Sequence, residues 1–307
     1  MSTIQEGLQR RLATIRGRGE RLVSPVTERD RERRRIAALI VPFVLLAVFG
    51  AVVPLWEMFK ISVSKSQFVT EGFTLEAYRT LVREPVYAEI AFNSLWFGVA
   101  TTVVSVVFGV AIAHGLEKYD LPKEDLLVTM ISFPISLPGI VAAFMMFVLF
   151  GNTGLLTNFF AFLTGASNID LAIATSVAGL FFGYLYSMIP RATFILRGTY
   201  AEVNTTAEEA ARALGATPTE TFYYVTLPQI RPGVVGALIL TFRTSLAIFG
   251  TVLVLKSLSV ATLRIAREIN IGFSIQIASA MAAVFFVFTV GFTFAALRYT
   301  SAEVGGA

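Results

Sequence analysis

The stretch that decides the fold is Asn204–Gly233, NTTAEEAARALGATPTETFYYVTLPQIRPG, a polar island between two long apolar segments. Thr205 is followed three residues later by Glu208, the spacing of a capping box with a hydroxyl at the N-cap and a carboxylate at N3. The run from Ala207 to Leu214 consists of strong helix formers. Gly215 is expected to stop the helix in the left-handed conformation that glycine adopts at low cost. A second helix follows at once, with Thr217 at its N-cap, Pro218 at N1 and Glu220 at N3. Phe222, Tyr223, Val225 and Leu227 supply an apolar face, and Pro228 and Pro232 are expected to end the helix. The stretch reads as a helix–turn–helix knuckle with an apolar underside and an exposed acidic lip.

Around this island the chain is apolar. Hydrophobic residues make up 55% of the 307 and charged residues 15%, where soluble domains carry roughly a quarter charged. This implies a polytopic membrane protein, all-α. Six segments are long enough to cross about 30 Å of hydrocarbon: Ile36–Met58, Ile90–Leu116, Leu126–Phe150, Leu171–Ile189, Val234–Leu255 and Ile275–Leu297. Residues 1–35 form a basic tail and 299–307 a short C-terminal tail, with the membrane domain at 36–298. The N-terminal tail lacks the apolar core and cleavage site of a signal peptide, and its arginines suit anionic lipid.

Lys and Arg fix the expected orientation. Ten arginines precede the first segment; Lys118 and Lys123 lie between the second and third, and Arg191, Arg197, Arg212 and Arg231 lie between the fourth and fifth. Arg298 follows the sixth, and the loop 151–170 has no Lys or Arg. Both termini and the knuckle are therefore expected in the cytoplasm. Outside, short helices are expected at Leu75–Val82, entered through Thr74, and at Ala261–Ile269. The loop 151–170, with Leu155, Leu156, Phe159 and Phe160, is read as lying in the interface or dipping into the membrane.

The knuckle resembles the signature loop of binding-protein-dependent ABC importer permeases: Glu-Ala-Ala, three residues, Gly, nine residues, an aliphatic residue, any residue, then Leu-Pro. Here it is Glu209-Ala210-Ala211, Gly215, Val225 and Leu227-Pro228. The resemblance extends over about Ile36 to Arg298. It implies a type I importer permease with six transmembrane helices. It also implies that the loop 204–233, with Glu208 beside the signature, docks on a cytoplasmic ATPase subunit. The further partners it implies are a second permease subunit, the same or a related chain, and an extracytoplasmic solute-binding protein.

Two places inside the membrane stand out. Segment three carries Ser132, Pro134, Ser136, Pro138 and Gly139, and its two prolines remove helical donors and kink the chain. The freed carbonyls must face protein or a wet cavity, so Pro134, Ser136 and Pro138 read either as a hinge lining the solute path or as a packing kink. Arg243 lies about ten residues into segment five, where an arginine costs a few kcal/mol unless paired or hydrated. Gly236, Ala247 and Gly250 share its helical face, and no Asp or Glu lies near the middle of any segment. Arg243 therefore either faces the solute path or is satisfied by carbonyls or a partner subunit.

Other classes are disfavoured. There is no cysteine and one histidine, His114, so thiol chemistry and a histidine metal site are excluded, and His114 reads as structural. No phosphate-binding GxxxxGK[ST] loop is present, and no catalytic or metal-ligating constellation lies in the membrane. The chain is expected to be a transporter subunit rather than an enzyme, with no cofactor and no nucleic-acid partner. Ala211–Ala216 and Phe133–Gly139 resemble the polyamine, ferric-iron, phosphonate and sulfate group of permeases, and Arg243 leans toward an anion or zwitterion. A sugar-type permease, an ATP-independent carrier and a membrane scaffold are the competing readings.

Overall fold

The structure is a computed structural model that describes residues 28–65 and 72–304. The basic tail before Glu28 lies outside the described residues. The chain divides into two units at Glu57/Met58. In the first, helix α1 (Glu28–Ala47) leads through a widened turn, Val48–Val52, into α2 (Val53–Ser62), whose last turns, from Met58 on, belong to the second. Helix α1 starts eight residues ahead of Ile36, so Arg29, Arg31, Arg33, Arg34 and Arg35 lie on its opening turns.

The second unit contains α3 (Glu76–Arg83), α4 (Pro85–Lys118), α5 (Glu124–Ser132), α6 (Gly139–Phe150), α7 (Leu155–Thr164), α8 (Asn168–Leu171) and α9 (Val177–Tyr200). It continues with α10 (Thr205–Ala213), α11 (Pro218–Thr221), α12 (Leu227–Ala247), α13 (Gly250–Leu255), α14 (Ala261–Asn270) and α15 (Ile275–Val304). No strand occurs among the described residues, only one isolated bridge between Ser64 and Phe73.

Helices α4, α9 and α12 pack together and carry the framework. At the knuckle end Val106, Ala113, Ala192, Leu196, Tyr200, Ile230 and Ala237 form one core; toward the other end Phe97, Ala143, Met146, Leu180, Tyr184, Val252 and Leu263 belong to a second. Alanine is frequent at the first contact because lipid tails are as apolar as the helices. Association in the membrane then rests on close van der Waals approach rather than on hydrophobic transfer.

Among the described residues, five helical stretches are both long and apolar enough to cross a membrane: Arg35–Ser62, Pro85–Lys118, Gly139–Thr164, Pro218–Ala247 and Ile275–Ala296. The fourth expected segment, Leu171–Ile189, forms instead as α9, displaced to Val177–Tyr200. At 24 residues α9 is long enough to span, but it carries Ser187, Arg191 and Arg197. It can do so because protein covers much of it: Leu180, Tyr184, Met188, Ala192 and Leu196 are all buried. Arg191 donates to the Ser187 carbonyl at 2.6 Å and to the Ser187 hydroxyl, satisfying itself one turn back.

Three further expectations need correction. Segment three is two helices rather than one kinked helix. A short 3-10 turn over Phe133–Ser136 ends α5, Leu137 is extended at ψ 132°, and α6 starts after Pro138. Segment five breaks at Ile248–Phe249 between α12 and α13. Pro228 and Pro232 do not end the knuckle's second helix: α11, a widened turn over Phe222–Thr226 and α12 run on as one helix, Pro218–Ala247.

The widened turn explains why Pro228 is tolerated. Proline lacks an N–H, and its ring clashes with the carbonyl four residues back, here that of Tyr224. In the widened turn the Leu227 N–H reaches the Phe222 carbonyl, five residues back, which moves the obstructing carbonyl aside. The same arrangement precedes Pro54, where the Val53 N–H bonds to the Val48 carbonyl. Two widened turns at the same offset from a proline show a local cause.

The short helices beyond the spanning segments form near their expected positions. Helix α3 begins at Glu76, whose N–H bonds to the Thr74 hydroxyl at 3.2 Å, and α14 covers Ala261–Asn270. The loop 151–170 contains α7, with Leu155, Phe159, Phe160, Phe162 and Leu163 exposed.

Candidate functional site

The knuckle is built from α10, a glycine turn and α11. The N-cap of α10 is Asn204, not Thr205: its side chain accepts from the Ala207 N–H at 3.3 Å. At the other end Gly215 has φ +93°. The Ala216 N–H bonds to the Ala211 carbonyl and the Gly215 N–H to the Arg212 carbonyl, both at 3.0 Å. These are the two bonds of a Schellman cap. Two residues later Thr217 caps α11 in a complete capping box with Glu220. The Thr217 N–H donates to the Glu220 carboxylate at 2.7 Å, and this contact holds the exposed Glu220 carboxyl below its ordinary range.

Glu208 does not belong to the acidic lip. It is only 5% exposed. Its Oε2 meets Lys118 Nζ, at the end of α4, at 2.6 Å, and both side chains are buried. Its Oε1 accepts from the Thr226 hydroxyl, in the widened turn. Burial alone would raise the Glu208 carboxyl; the hydrogen bonds from Lys118 and Thr226, with the charges of Lys118 and Arg212, outweigh it and hold the group below its ordinary value. The sequence could not reveal this, because Lys118 is ninety residues away and its partner shares a dipeptide with another glutamate. Glu209, next along, is exposed.

Further contacts tie the knuckle to the bundle. The Asn204 N–H donates to Gln229 Oε1 at 2.9 Å, and Gln229 Nε2 donates to the Val225 carbonyl at 2.9 Å. Beneath the knuckle His114 bonds to the Tyr200 hydroxyl at 3.1 Å and its ring lies 4.9 Å from that of Phe222. Arg197 of α9 pairs with Glu117 at 2.6 Å and Glu124 at 3.4 Å, knotting the ends of α4, α5 and α9.

The outer surface of the knuckle is apolar as well as acidic. Leu214 is 90% exposed, Tyr224 80% and Tyr223 59%. Sequence reasoning placed Tyr223 on the underside; the widened turn rotates it outward, leaving Phe222, Val225 and Leu227 half-buried. Ala210 and Pro228 are exposed and Ala211 is half-buried.

The two helix breaks meet. The Thr251 hydroxyl, at the start of α13, donates to the Gly139 carbonyl, at the start of α6, at 3.1 Å. A Cβ on Gly250 would stand 2.9 Å from the Ile140 nitrogen, so only glycine permits this approach. The Ile248 carbonyl, freed by the break, accepts from Tyr184 and Thr262 at 3.4 and 3.3 Å. Pro134 is buried, while Ser136 and Pro138 remain exposed. Arg243 is exposed on α12 and forms no ion pair among the described residues. Its face is uncovered: Ala247 is exposed, Leu240 is 38% exposed, and a Cβ on Gly236 would meet nothing within 4 Å. Among the described residues no three His, Asp or Glu side chains gather as a metal site would require.

Comparison with known proteins agrees with this geometry. The family model for the inner membrane component of binding-protein-dependent transport systems matches residues 105–301, which include the whole knuckle and both helix breaks. The chain belongs to that family. It is therefore an importer permease subunit, multi-pass in the inner membrane, and not an enzyme; ATP hydrolysis resides in a separate subunit. A trehalose transport system permease of Mycobacterium tuberculosis is 28% identical over 205 residues, covering 64% of this chain and 68% of that protein. A sulfate transport system permease of Synechococcus elongatus is 31% identical over 163 residues, covering 53% and 55%; this chain thus spans little more than half of that relative. A bacterial ABC transporter involved in import of the acidic polysaccharide alginate has a chain that superposes with a TM-score of 0.75 at 14% identity. It covers 91% of this chain and 99% of that one, and establishes the type I permease fold.

Proposed function

We propose that the knuckle docks on a cytoplasmic ATPase subunit and passes its movement to the membrane helices. The observation that carries this reading is that the knuckle is exposed where a partner would bind and continuous with a spanning helix where movement must go. Leu214, Tyr223, Tyr224 and Glu209 form the docking face. Glu208 stands behind it, and Ala210, Ala211, Gly215, Val225, Leu227 and Pro228 shape it. The knuckle and both termini lie in the cytoplasm, as the Lys and Arg distribution requires. A solute-binding protein delivers to the opposite face, and a second permease subunit, the same or a related chain, completes the path within the lipid.

Arg243 and the uncovered face of α12 line that path, with Ser136, Pro138 and the buried Pro134 at the break between α5 and α6. An exposed arginine without an acidic partner favours a small anion over a polyamine cation or ferric ion. The sulfate permease relative supports an oxyanion of the sulfate or phosphonate kind. The trehalose permease relative supports a sugar as the second reading.

The test is reconstitution of the permease with an ATPase and a solute-binding protein from the same source, followed by uptake of radiolabelled sulfate in competition with phosphonate and trehalose. ATP-dependent uptake displaced by oxyanions is expected; displacement by trehalose alone would overturn the solute class. Uptake without any ATPase would overturn the coupling. Thr164→Cys should be labelled from outside and a reporter placed after Arg298 should be cytoplasmic; labelling of both from one side would refute the topology.

A further inference from the structure

Helix α10, the half of the knuckle that carries Glu209, is attached to the rest of the molecule in a particular way. Its backbone reaches α12 only through the glycine turn and α11. Its side chains contribute no residue to either of the large cores. Besides its short link to α9 and the Asn204–Gln229 bond at its N-cap, it is held by Glu208, which faces inward to Lys118 on α4 and to Thr226 in the widened turn. These two partners belong to different spanning stretches, Pro85–Lys118 and Pro218–Ala247.

We propose that Glu208 is the positioning residue of the coupling step: by joining Lys118 and Thr226 it pins the knuckle to both spanning helices, so that one displacement moves them together. This rests on the docking reading above and adds which residue divides the motion between helices. Without the pin, a docked knuckle would still pull α9 and α12 through continuous backbone, whereas α4 would follow only through its side-chain packing against them. The geometry fits such a device. A buried ion pair is directional, and one partner left alone in a buried site is strongly disfavoured, so the pair stays closed through a movement. The widened turn belongs to the device as well, because Thr226 lies in it; single widened turns of this kind are frequent at functional sites. Glu208 is buried behind the proposed docking face rather than exposed on it, and it is not among the residues of the solute path, so its loss is separable from the loss of either.

The chain contains no cysteine, so paired spin labels can be introduced without background. Thr206→Cys on α10 and Val107→Cys on α4 are both exposed. In the permease co-assembled with its ATPase, the distance between these labels is measured without nucleotide and after trapping with ATP and vanadate. With the native pin the distribution is expected to stay unchanged on trapping. With Glu208→Gln it should shift or broaden on trapping, while ATPase co-purification stays near normal. Binding-protein stimulation of hydrolysis should then fall by about fivefold or more, the lower end of ordinary coupling energies. Lys118→Arg, which keeps the charge, should behave as the native chain, and the exchange Lys118→Glu with Glu208→Lys should recover part of the stimulation.

An unchanged distance and undiminished stimulation in Glu208→Gln would overturn the proposal. So would loss of ATPase co-purification in Glu208→Gln and in the charge exchange alike, which would make the pair a fold element only. Failure of the docking reading has a different signature: Glu209→Lys and Gly215→Val would leave ATPase binding untouched.

Discussion

Replacing Gly215 with valine should uncouple the permease without unfolding it, and the structure gives the size of the effect. Gly215 sits at φ +93°, a region where a β-branched residue is a genuine outlier. A Cβ there would meet nothing within 4 Å, so no neighbour has to move and the whole cost lies in the backbone. Strain of this kind costs about 1–3 kcal/mol. The residue can relieve it only by abandoning the two turn bonds to Ala211 and Arg212, which swings α10 away from α11. The docked geometry is then disfavoured by at most the strain, a weakening of ATPase binding of about 5- to 150-fold, since 1.4 kcal/mol is a factor of ten.

The assay is titration of the detergent-purified permease with its ATPase, together with stimulated hydrolysis in liposomes. Alanine should cost less than valine, about 1–2 kcal/mol. Asparagine, which tolerates the left-handed region better, should cost least. Membrane insertion should be unaffected, because the cores of α4, α9 and α12 contain no residue of α10. Native affinity in the valine variant, or equal losses in all three, would refute the argument.

Other outcomes follow from the same geometry. Gly250→Val should separate the two helix breaks, because its Cβ would press on the Ile140 backbone. A cost of about 1–3 kcal/mol should appear as a lower thermal midpoint, and an unchanged midpoint would mean the breaks are not packed as described. Arg243→Gln should leave assembly and basal hydrolysis near normal while reducing oxyanion uptake; disassembly would make Arg243 a structural contact with another subunit. The Glu208 carboxyl is held below its ordinary value of 4.5. Its contribution is therefore fully present above that pH and is lost as pH falls through the depressed folded value. Amide exchange in residues 205–213, corrected for intrinsic rates, should stay protected down to pH 4.5 and open only below it; opening near pH 6 would contradict the assignment.

The sequence by itself determined what depends on local chemistry and on composition. An apolar chain with few charges must hide its backbone in helices inside a membrane, and Lys and Arg placement implies an orientation. Glycine, Thr217, Pro218 and Glu220 set the turn and the second cap, because capping acts within three residues. Tertiary structure decided what depends on residues far apart in the chain. Of two adjacent glutamates, Glu208 turned inward because Lys118 lies beneath it, and Glu209 was left outside. Pro228, which should have ended a helix, stayed within one because a widened turn moved the clashing carbonyl away and α4 and α9 packed along the continuation. Helix α9 formed despite its arginines because protein, not lipid, surrounds much of it. The break at Ile248–Phe249 has no proline to announce it. It became visible only where Gly250 met Ile140, since a helix gives up backbone bonds inside a membrane only where tertiary partners, here Tyr184 and Thr262, take up the freed carbonyl.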